Sequence, residues 1–231
     1  MDGEPDAARK SAWRFHALHA GVPAGLALAV LGVFETTDLD RRIQDLFYDP
    51  IAGRFPHRVP WLFETVIRDF GRLSVILLGI GLFAAFLLSH RRAALLPWRR
   101  ALLYAVLCLA ICPVAVAQTK QHTVLQCPRA LEIFGGKEPY VRLFDAVPRG
   151  IEEGHCWPGG HSSGGFAYGF GLGFGRVVQG SPFVSHNVWA ALICSAIALA
   201  LYELMLRRHA PEAAVVTSRS PVPWLSAPAS E

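Results

Sequence analysis

The chain has 231 residues, of which 52% are hydrophobic and 17% are charged, and its formal net charge is +4. Soluble domains usually carry about 25% charged residues, so this composition argues against an ordinary soluble domain. The cations flank apolar runs and form no separate basic region, which argues against nucleic acid as a partner.

Long uncharged runs predict four membrane-spanning helices. A helix needs about 20 apolar residues to cross a hydrocarbon core of about 30 Å. Four runs approach or meet this length: 15–34, 73–89, 101–118 and 187–206. No cleavage site of the A-x-A kind follows the first run, so we expect a retained span, not a signal peptide. The sequence therefore predicts an all-α, polytopic helical membrane protein with about four spans.

Clusters of cations predict how the chain is oriented. They precede the first span, fill the loop between the second and third spans, and follow the last: Lys10 and Arg14; Arg91, Arg92, Arg99 and Arg100; Arg207 and Arg208. The positive-inside rule places all of these in the cytoplasm. We expect a cytoplasmic N-terminus (1–14), a membrane domain (15–206) and a disordered cytoplasmic tail (207–231). The expected location is a bacterial inner membrane, with 35–72 and 119–185 facing the periplasm or exterior.

Two stretches are expected to touch the membrane without crossing it. Leu39, Ile43, Leu46 and Phe47 recur at helical spacing and predict a short amphipathic helix on the membrane surface. Residues 162–180 are apolar but rich in glycine and include an arginine. A full crossing there would move the last arginines outside, so a re-entrant or partial span fits the charges better.

The five cysteines divide by depth. Cys108, Cys112 and Cys194 lie within predicted spans, where cysteine acts as a small apolar residue. Cys127 and Cys156 both lie in the second outer segment. In an oxidising compartment they would close a loop of about 30 residues, a disulfide worth roughly 3–4 kcal/mol. Two free thiols are the alternative.

Residues of catalytic type concentrate in that same segment. Lys120 directly follows the third span, and a run rich in glycine and histidine occupies 154–165. Arg176 and His186 precede the last span. Cations offset phosphoryl charge, and imidazole serves as nucleophile or general acid near neutral pH. The combination beside a membrane predicts a phosphate-handling site.

Three ordered motifs in 119–189 resemble the type 2 phosphatidic acid phosphatase superfamily, membrane lipid phosphatases related to vanadium haloperoxidases. The family patterns are KxxxxxxRP, PSGH and SRxxxxxHxxxD. The chain reads KQHTVLQCP at 120–128, PGGH at 158–161 and GRVVQGSPFVSH at 175–186. A branch with CPxxL…FGG, a CWPxGHSSGG-like run and QGxxFxSHxxW is similar to this chain.

The resemblance implies a six-helix bundle that hydrolyses or transfers phosphate from a lipid phosphate or pyrophosphate through a phosphohistidine. It also implies no metal and no cofactor. Carried over by position, Lys120 and Arg176 would bind the phosphate and His161 would be the general acid. Backbone N–H groups of Gly159 and Gly160 would also reach the phosphate.

The chain departs from the family pattern at two positions that the family uses to bind and attack the phosphate. Cys127 stands in place of the motif-one arginine, and Pro182 in place of the nucleophilic histidine. His186, at the aspartate position, is then the nearest candidate nucleophile, about one helical turn away. Only fourteen residues separate His161 from Arg176, whereas the family's two intervening spans need about 40. The bundle is therefore expected to be shortened.

Each candidate residue also has a simpler role open to it. Lys120 would anchor a helix end at the lipid interface, and His161 would cap a turn. Arg176 would pair with Glu203 or a lipid headgroup, and His186 would be an interfacial residue. Two functions thus remain: a lipid phosphate phosphatase, or a catalytically silent relative that binds lipid headgroups or scaffolds a membrane complex. A metal enzyme fits less well, because the spacing of metal ligands is absent.

Overall fold

The computed structural model describes residues 13–56, 69–148, 150–151, 153–160 and 173–207. Within these ranges the regular structure is helical, with isolated bridges but no strands. Five α-helices are labelled here: α1 (Val22–Thr36), α2 (Leu39–Asp45), α3 (Gly71–Leu88), α4 (Arg99–Gln121) and α5 (Val184–Met205). A π-helical turn, Ala17–Gly21, leads into α1, and a 3₁₀ helix, Ala93–Trp98, leads into α4.

Four helical stretches are long and apolar enough to cross a membrane: Trp13–Thr36, Gly71–Leu88, Ala93–Gln121 and Val184–Met205. This confirms the predicted all-α, polytopic membrane protein. The large side chains of α3 point outward over most of its length, with Leu77 and Ile80 more than half exposed. An apolar helix that exposes such side chains is suited to lipid, not to water.

The last helix is the centre of the bundle. Helix α5 packs against both α1 and α4, and α3 packs on the other side of α4. The Tyr104 hydroxyl of α4 donates to the Ala198 carbonyl of α5 at 3.3 Å. The rings of Phe15 and Tyr202 stack at a centroid distance of 5.3 Å, joining the start of the first span to the end of the last.

One end of the bundle, called here the arginine end, gathers cations from two parts of the chain. Arg207 forms a salt bridge of 2.8 Å with Glu203 and contacts His16 and the ring of Phe15. The loop between α3 and α4, which is exposed at 90–94 and carries Arg91 and Arg92, lies at the same end of these helices. The structure thus agrees with the grouping of charges from which we predicted the orientation.

The opposite end, called here the loop end, is built from segments 37–56 and 122–160. Phe55, Leu131, Phe134 and Phe183 form a small core between them. Arg142 closes this end over α1, since its guanidinium donates to the Glu35 carbonyl at 2.9 Å and to Asp38 Oδ1 at 2.9 Å. A cation at a helix C-terminus also opposes the helix dipole favourably.

Helix α2 forms where the amphipathic pattern predicted it, but its polar face turns inward. Asp40 and Gln44 are buried, whereas Leu46, just after the helix, is 79% exposed. Gln44 Nε2 donates to the Pro182 carbonyl at 3.1 Å, and Asp40 Oδ1 accepts from the backbone N–H of Val184 at 2.9 Å. Helix α2 therefore holds the N-terminus of α5 in place. Most of the glycine-rich stretch 162–180, predicted as a re-entrant segment, lies outside the described residues.

Candidate functional site: a cationic pocket at the loop end

A cavity of about 160 Å³ lies where the loop end meets α4. Lys120, Arg129 and Arg176 all line it, and none of the described residues that line it is a carboxylate. Like charges close together raise the energy of an empty pocket and attract an anion. Such a pocket is suited to an anion, and it brings together Lys120 and Arg176, the two residues expected to bind phosphate.

Lys120 lies in the last turn of α4, half-buried at the pocket wall. Its backbone carbonyl accepts from the Thr123 hydroxyl at 3.0 Å and lies 3.2 Å from His155 Nδ1. These bonds fix the helix end and therefore the point from which the lysine side chain extends. His155, which sequence reasoning left out of the site, also lines the pocket and is paired with Glu153 at 3.2 Å.

Arg176 belongs to a helical segment, 173–178, that precedes α5. Its guanidinium donates to Gln179 Oε1 at 2.6 Å and to the Ser181 hydroxyl at 3.1 Å. Pairing with Glu203 was an alternative for this arginine. That glutamate instead pairs with Arg207 at the arginine end, so the structure excludes this alternative.

A disulfide joins Cys127 to Cys156 and forms part of the pocket wall. It ties the segment after α4 to the segment that carries Gly159 and Gly160. The family pattern would place an arginine at position 127, where this chain has a bridged cysteine. Arg129, two residues further on, lines the same pocket, and sequence reasoning missed it. The available signal was a cation directly after the motif-one proline.

The two glycines have different surroundings. The N–H of Gly159 donates to the His186 carbonyl at 2.8 Å. We had expected this N–H to reach a phosphate in the pocket, but it is already bonded within the protein. A Cβ at position 159 would lie 2.3 Å from Asn187 Oδ1. The serine of the family motif would therefore not fit unless Asn187 moved. Gly160 lines the pocket, and a Cβ there would meet nothing within 4 Å.

His186 does not line the cationic pocket. It is buried in the first turn of α5, with Nδ1 at 3.2 Å from the Cys156 carbonyl and its ring edge-on to Phe183. It borders a separate, smaller cavity together with Trp157, Trp189 and other residues. Pro182, by contrast, lines the cationic pocket and precedes α5, which begins at Val184. His161 lies outside the described residues.

Fold and site together define a polytopic helical membrane protein with a cationic, disulfide-walled pocket at one end of its bundle. No group of three His, Cys, Asp or Glu side chains in the described ranges is arranged to hold a metal ion. Comparisons with protein-family models, curated proteins and solved structures give no match for this chain.

Proposed function

We propose that the protein binds the terminal phosphate monoester of a membrane lipid in the cationic pocket and is a divergent relative of the type 2 phosphatidic acid phosphatases. The observation that carries the proposal is the convergence of Lys120, Arg129 and Arg176 on one cavity whose described lining has no carboxylate. Charge-assisted hydrogen bonds to phosphate are the strong use of such groups. The grouping of arginines at the opposite end supports an extracytoplasmic pocket, facing the periplasm if the membrane is a bacterial inner membrane.

Binding is favoured over turnover by two observations: which residue occupies the family's nucleophile position, and where the nearest histidine lies. Pro182 faces the pocket but has no nucleophilic atom, and His186 borders a different cavity. Attack requires the reacting atoms within roughly 3–3.5 Å, and a misplacement of 1 Å can cost about a hundredfold in rate. A buried histidine held against the Cys156 carbonyl is poorly placed for it.

Binding is tested by thermal unfolding of the detergent-purified chain with short-chain phosphatidic acid or with phosphatidylcholine of the same acyl length. A ligand that binds only the folded state raises the Tm in proportion to the logarithm of its concentration above the Kd. We expect phosphatidic acid to raise the Tm of the wild-type protein and of Lys137→Gln, and to lose most of that effect in Lys120→Gln. Lys137 is a matched control, since it is an exposed lysine at the same end. An equal rise with phosphatidylcholine, or in Lys120→Gln, would contradict the proposal.

A lipid phosphate phosphatase is the second candidate, because Gly160, the residue before His161 in the sequence, lines the pocket beside Lys120 and Arg176. Phosphate release from a panel of lipid phosphates decides between the two. We expect no release above background, no effect of His186→Ala, and a gain of release in Pro182→His if the remaining pocket supports catalysis. Turnover by the wild-type protein that His186→Ala abolishes would establish the enzyme and place the nucleophile where the sequence suggested.

A further inference from the structure

His155 lines the cationic pocket in a backbone conformation that histidine seldom adopts. Its φ is +46°, in the left-handed region that favours glycine. Among the described residues other than glycine, it is the only one with a positive φ. Such a conformation costs stability, and strain of this kind is found most often where a residue has a binding or catalytic task. The contacts of the imidazole ring indicate which task.

The two ring nitrogens of His155 both face oxygen atoms that accept hydrogen bonds. Nδ1 lies 3.2 Å from the backbone carbonyl of Lys120, and Nε2 lies 3.2 Å from Glu153 Oε2. The carbonyl can only accept, so Nδ1 carries a hydrogen, and in the neutral ring Nε2 is then an acceptor. Nε2 can therefore donate to an anion only when the ring has gained a second proton and is an imidazolium.

The two partners of the ring are held with different firmness. The Lys120 carbonyl belongs to the last turn of α4, and the backbone N–H of His155 donates to the Thr123 carbonyl at 3.2 Å. Glu153, by contrast, has a side chain that is 69% exposed, and water weakens an ion pair at so exposed a position. A phosphate that enters the pocket would therefore replace the carboxylate at Nε2 without moving the anchored side of the ring.

We propose that His155 is a proton-dependent ligand of the anion in the cationic pocket, with its imidazolium Nε2–H donating to Glu153 in the free protein and to the phosphoryl group in the complex. The inference rests on the proposed phosphate-binding function and adds a binding residue and a pH dependence to it. His155 lines the pocket together with Lys120 and Arg176. Imidazole gains and loses its proton between about pH 5 and pH 8, so the pocket should use this contact on the acidic side of that range.

Other groups near His155 also affect the charge of the pocket. The elements packed around it carry these charged or titratable side chains: Glu153, Lys120, His122, Arg129 and Arg176. The ligand itself titrates, because a phosphate monoester loses its second proton near pH 6. All of these contributions remain when His155 alone is replaced, so the comparison of variants at one pH isolates the imidazole. His122 is exposed and is not among the residues that line the pocket, which makes it a matched control.

Calorimetric titration of the detergent-purified full chain at pH 6 and pH 8 tests the inference with two probes, dihexanoyl phosphatidic acid and inorganic phosphate. At pH 6 we expect the wild-type protein to bind each probe about fivefold more tightly than His155→Gln does, as one charge-assisted hydrogen bond at a partly hydrated site would give. At pH 8 the difference should be less than about twofold. His122→Gln should match the wild-type protein at both pH values. Glu153→Gln should tighten binding at pH 6, and should have little effect when His155→Gln is also present.

The variant His155→Gly separates a binding role from a structural one. Glycine adopts a φ of +46° without strain, so the ligand-free Tm of this variant should be no lower than that of His155→Gln. Its affinity for both probes at pH 6 should nevertheless fall as far as in His155→Gln. A lower Tm in His155→Gly with unchanged affinity would assign the ring to the fold alone and overturn the inference.

The outcomes also distinguish the inference from the function beneath it. If His155→Gln and the wild-type protein bind both probes equally at pH 6, the inference is overturned while phosphate binding stands. If the wild-type protein binds neither probe at either pH, the proposed function itself fails. Tighter binding of phosphatidic acid than of inorganic phosphate would identify a lipid as the ligand, and equal affinity would identify the phosphoryl group alone. The loss in His155→Gln is expected in both cases, because Nε2–H contacts only the phosphoryl group.

Discussion

Replacement of Asp40 by asparagine should stabilise the protein at pH 8. The carboxylate is only 5% exposed, and its Oδ1 accepts from the N–H groups of Val184 and Ser185 at the start of α5. Burial raises the pKa of Asp40 to about 6, from an ordinary value of 3.8, although these hydrogen bonds oppose the shift. A difference of that size corresponds to about 3 kcal/mol between the two protonation states.

The direction of the pH dependence follows from this raised pKa. The folded protein binds the Asp40 proton more tightly than the unfolded chain does, so the carboxyl group contributes its stability below pH 4. That contribution is lost as the pH rises from about 4 through about 6, and stays lost above it. Asparagine resembles the protonated acid, keeps an oxygen that accepts the two N–H bonds, and does not titrate.

The assay is the Tm in a mild detergent at pH 4.5 and pH 8 for three proteins. Asp40→Asn should exceed the wild-type protein by only about 1 kcal/mol at pH 4.5, and by up to about 3 kcal/mol at pH 8. Asp40→Ala should be less stable than Asp40→Asn at both pH values by about 1–2 kcal/mol, because the first N–H groups of α5 lose their acceptor. Comparison between variants cancels the titration of neighbouring groups such as Glu35 and His186. An asparagine variant less stable than wild type at pH 8 would show that the negative charge at the helix N-terminus outweighs its burial.

Three further predictions concern the pocket and the orientation. Reduction of the disulfide, or Cys127→Ser, should change the migration of the chain on a gel. Either change should also weaken phosphatidic acid binding, because the segments that carry Arg129 and Gly160 are then no longer joined covalently. Two free thiols titrating in the native protein would refute the bond. Gly159→Ser should lower the Tm, and Asn187→Ala should restore part of the loss by removing the oxygen 2.3 Å from the new Cβ; no loss in Gly159→Ser would refute the clash. A cysteine at the exposed position of Ala94 should resist an impermeant thiol reagent added outside cells, and ready labelling would reverse the orientation.

The spans were predictable because the bilayer imposes a simple requirement on length and apolarity. All four runs found in the sequence are helices in the structure. The inward face of α2 was not predictable in the same way. Its period placed Leu39 and Leu46 on one face, but the period does not say whether protein or lipid covers that face. Asp40 and Gln44 are buried because they satisfy backbone groups around Pro182, and that segment lies about 140 residues away in sequence.

Two residues predicted for the site, Lys120 and Arg176, lie together in the structure for a related reason. Lys120 and Arg176 were found because motif spacing identifies residues whose backbone positions follow from the helices that carry them. The sequence did not predict the separate cavity that His186 borders. His186 is only one helical turn from Pro182, but the two residues fall on different sides of the Cys156 segment. Motif alignment considers only the number of residues between two positions in the sequence. It carries no information on the Cys156 segment, which lies between the two residues in the structure.

Cys127, at the position where the pattern that this chain resembles has an arginine, links these observations. A charged side chain there would approach the pocket from within the segment that leaves α4, whereas the disulfide turns that position into a covalent tie to Cys156. The disulfide supports the segment that carries Arg129. This exposed arginine lines the pocket two residues after Cys127, so the pocket has a cation there at its solvent-exposed side. Catalysis depends on cations set deep against the reacting phosphorus, while recognition of an extended anion gains from cations spread between depth and rim. The exposed Arg129 and the proline at position 182 therefore both support the proposal that the pocket holds a ligand and does not cleave it.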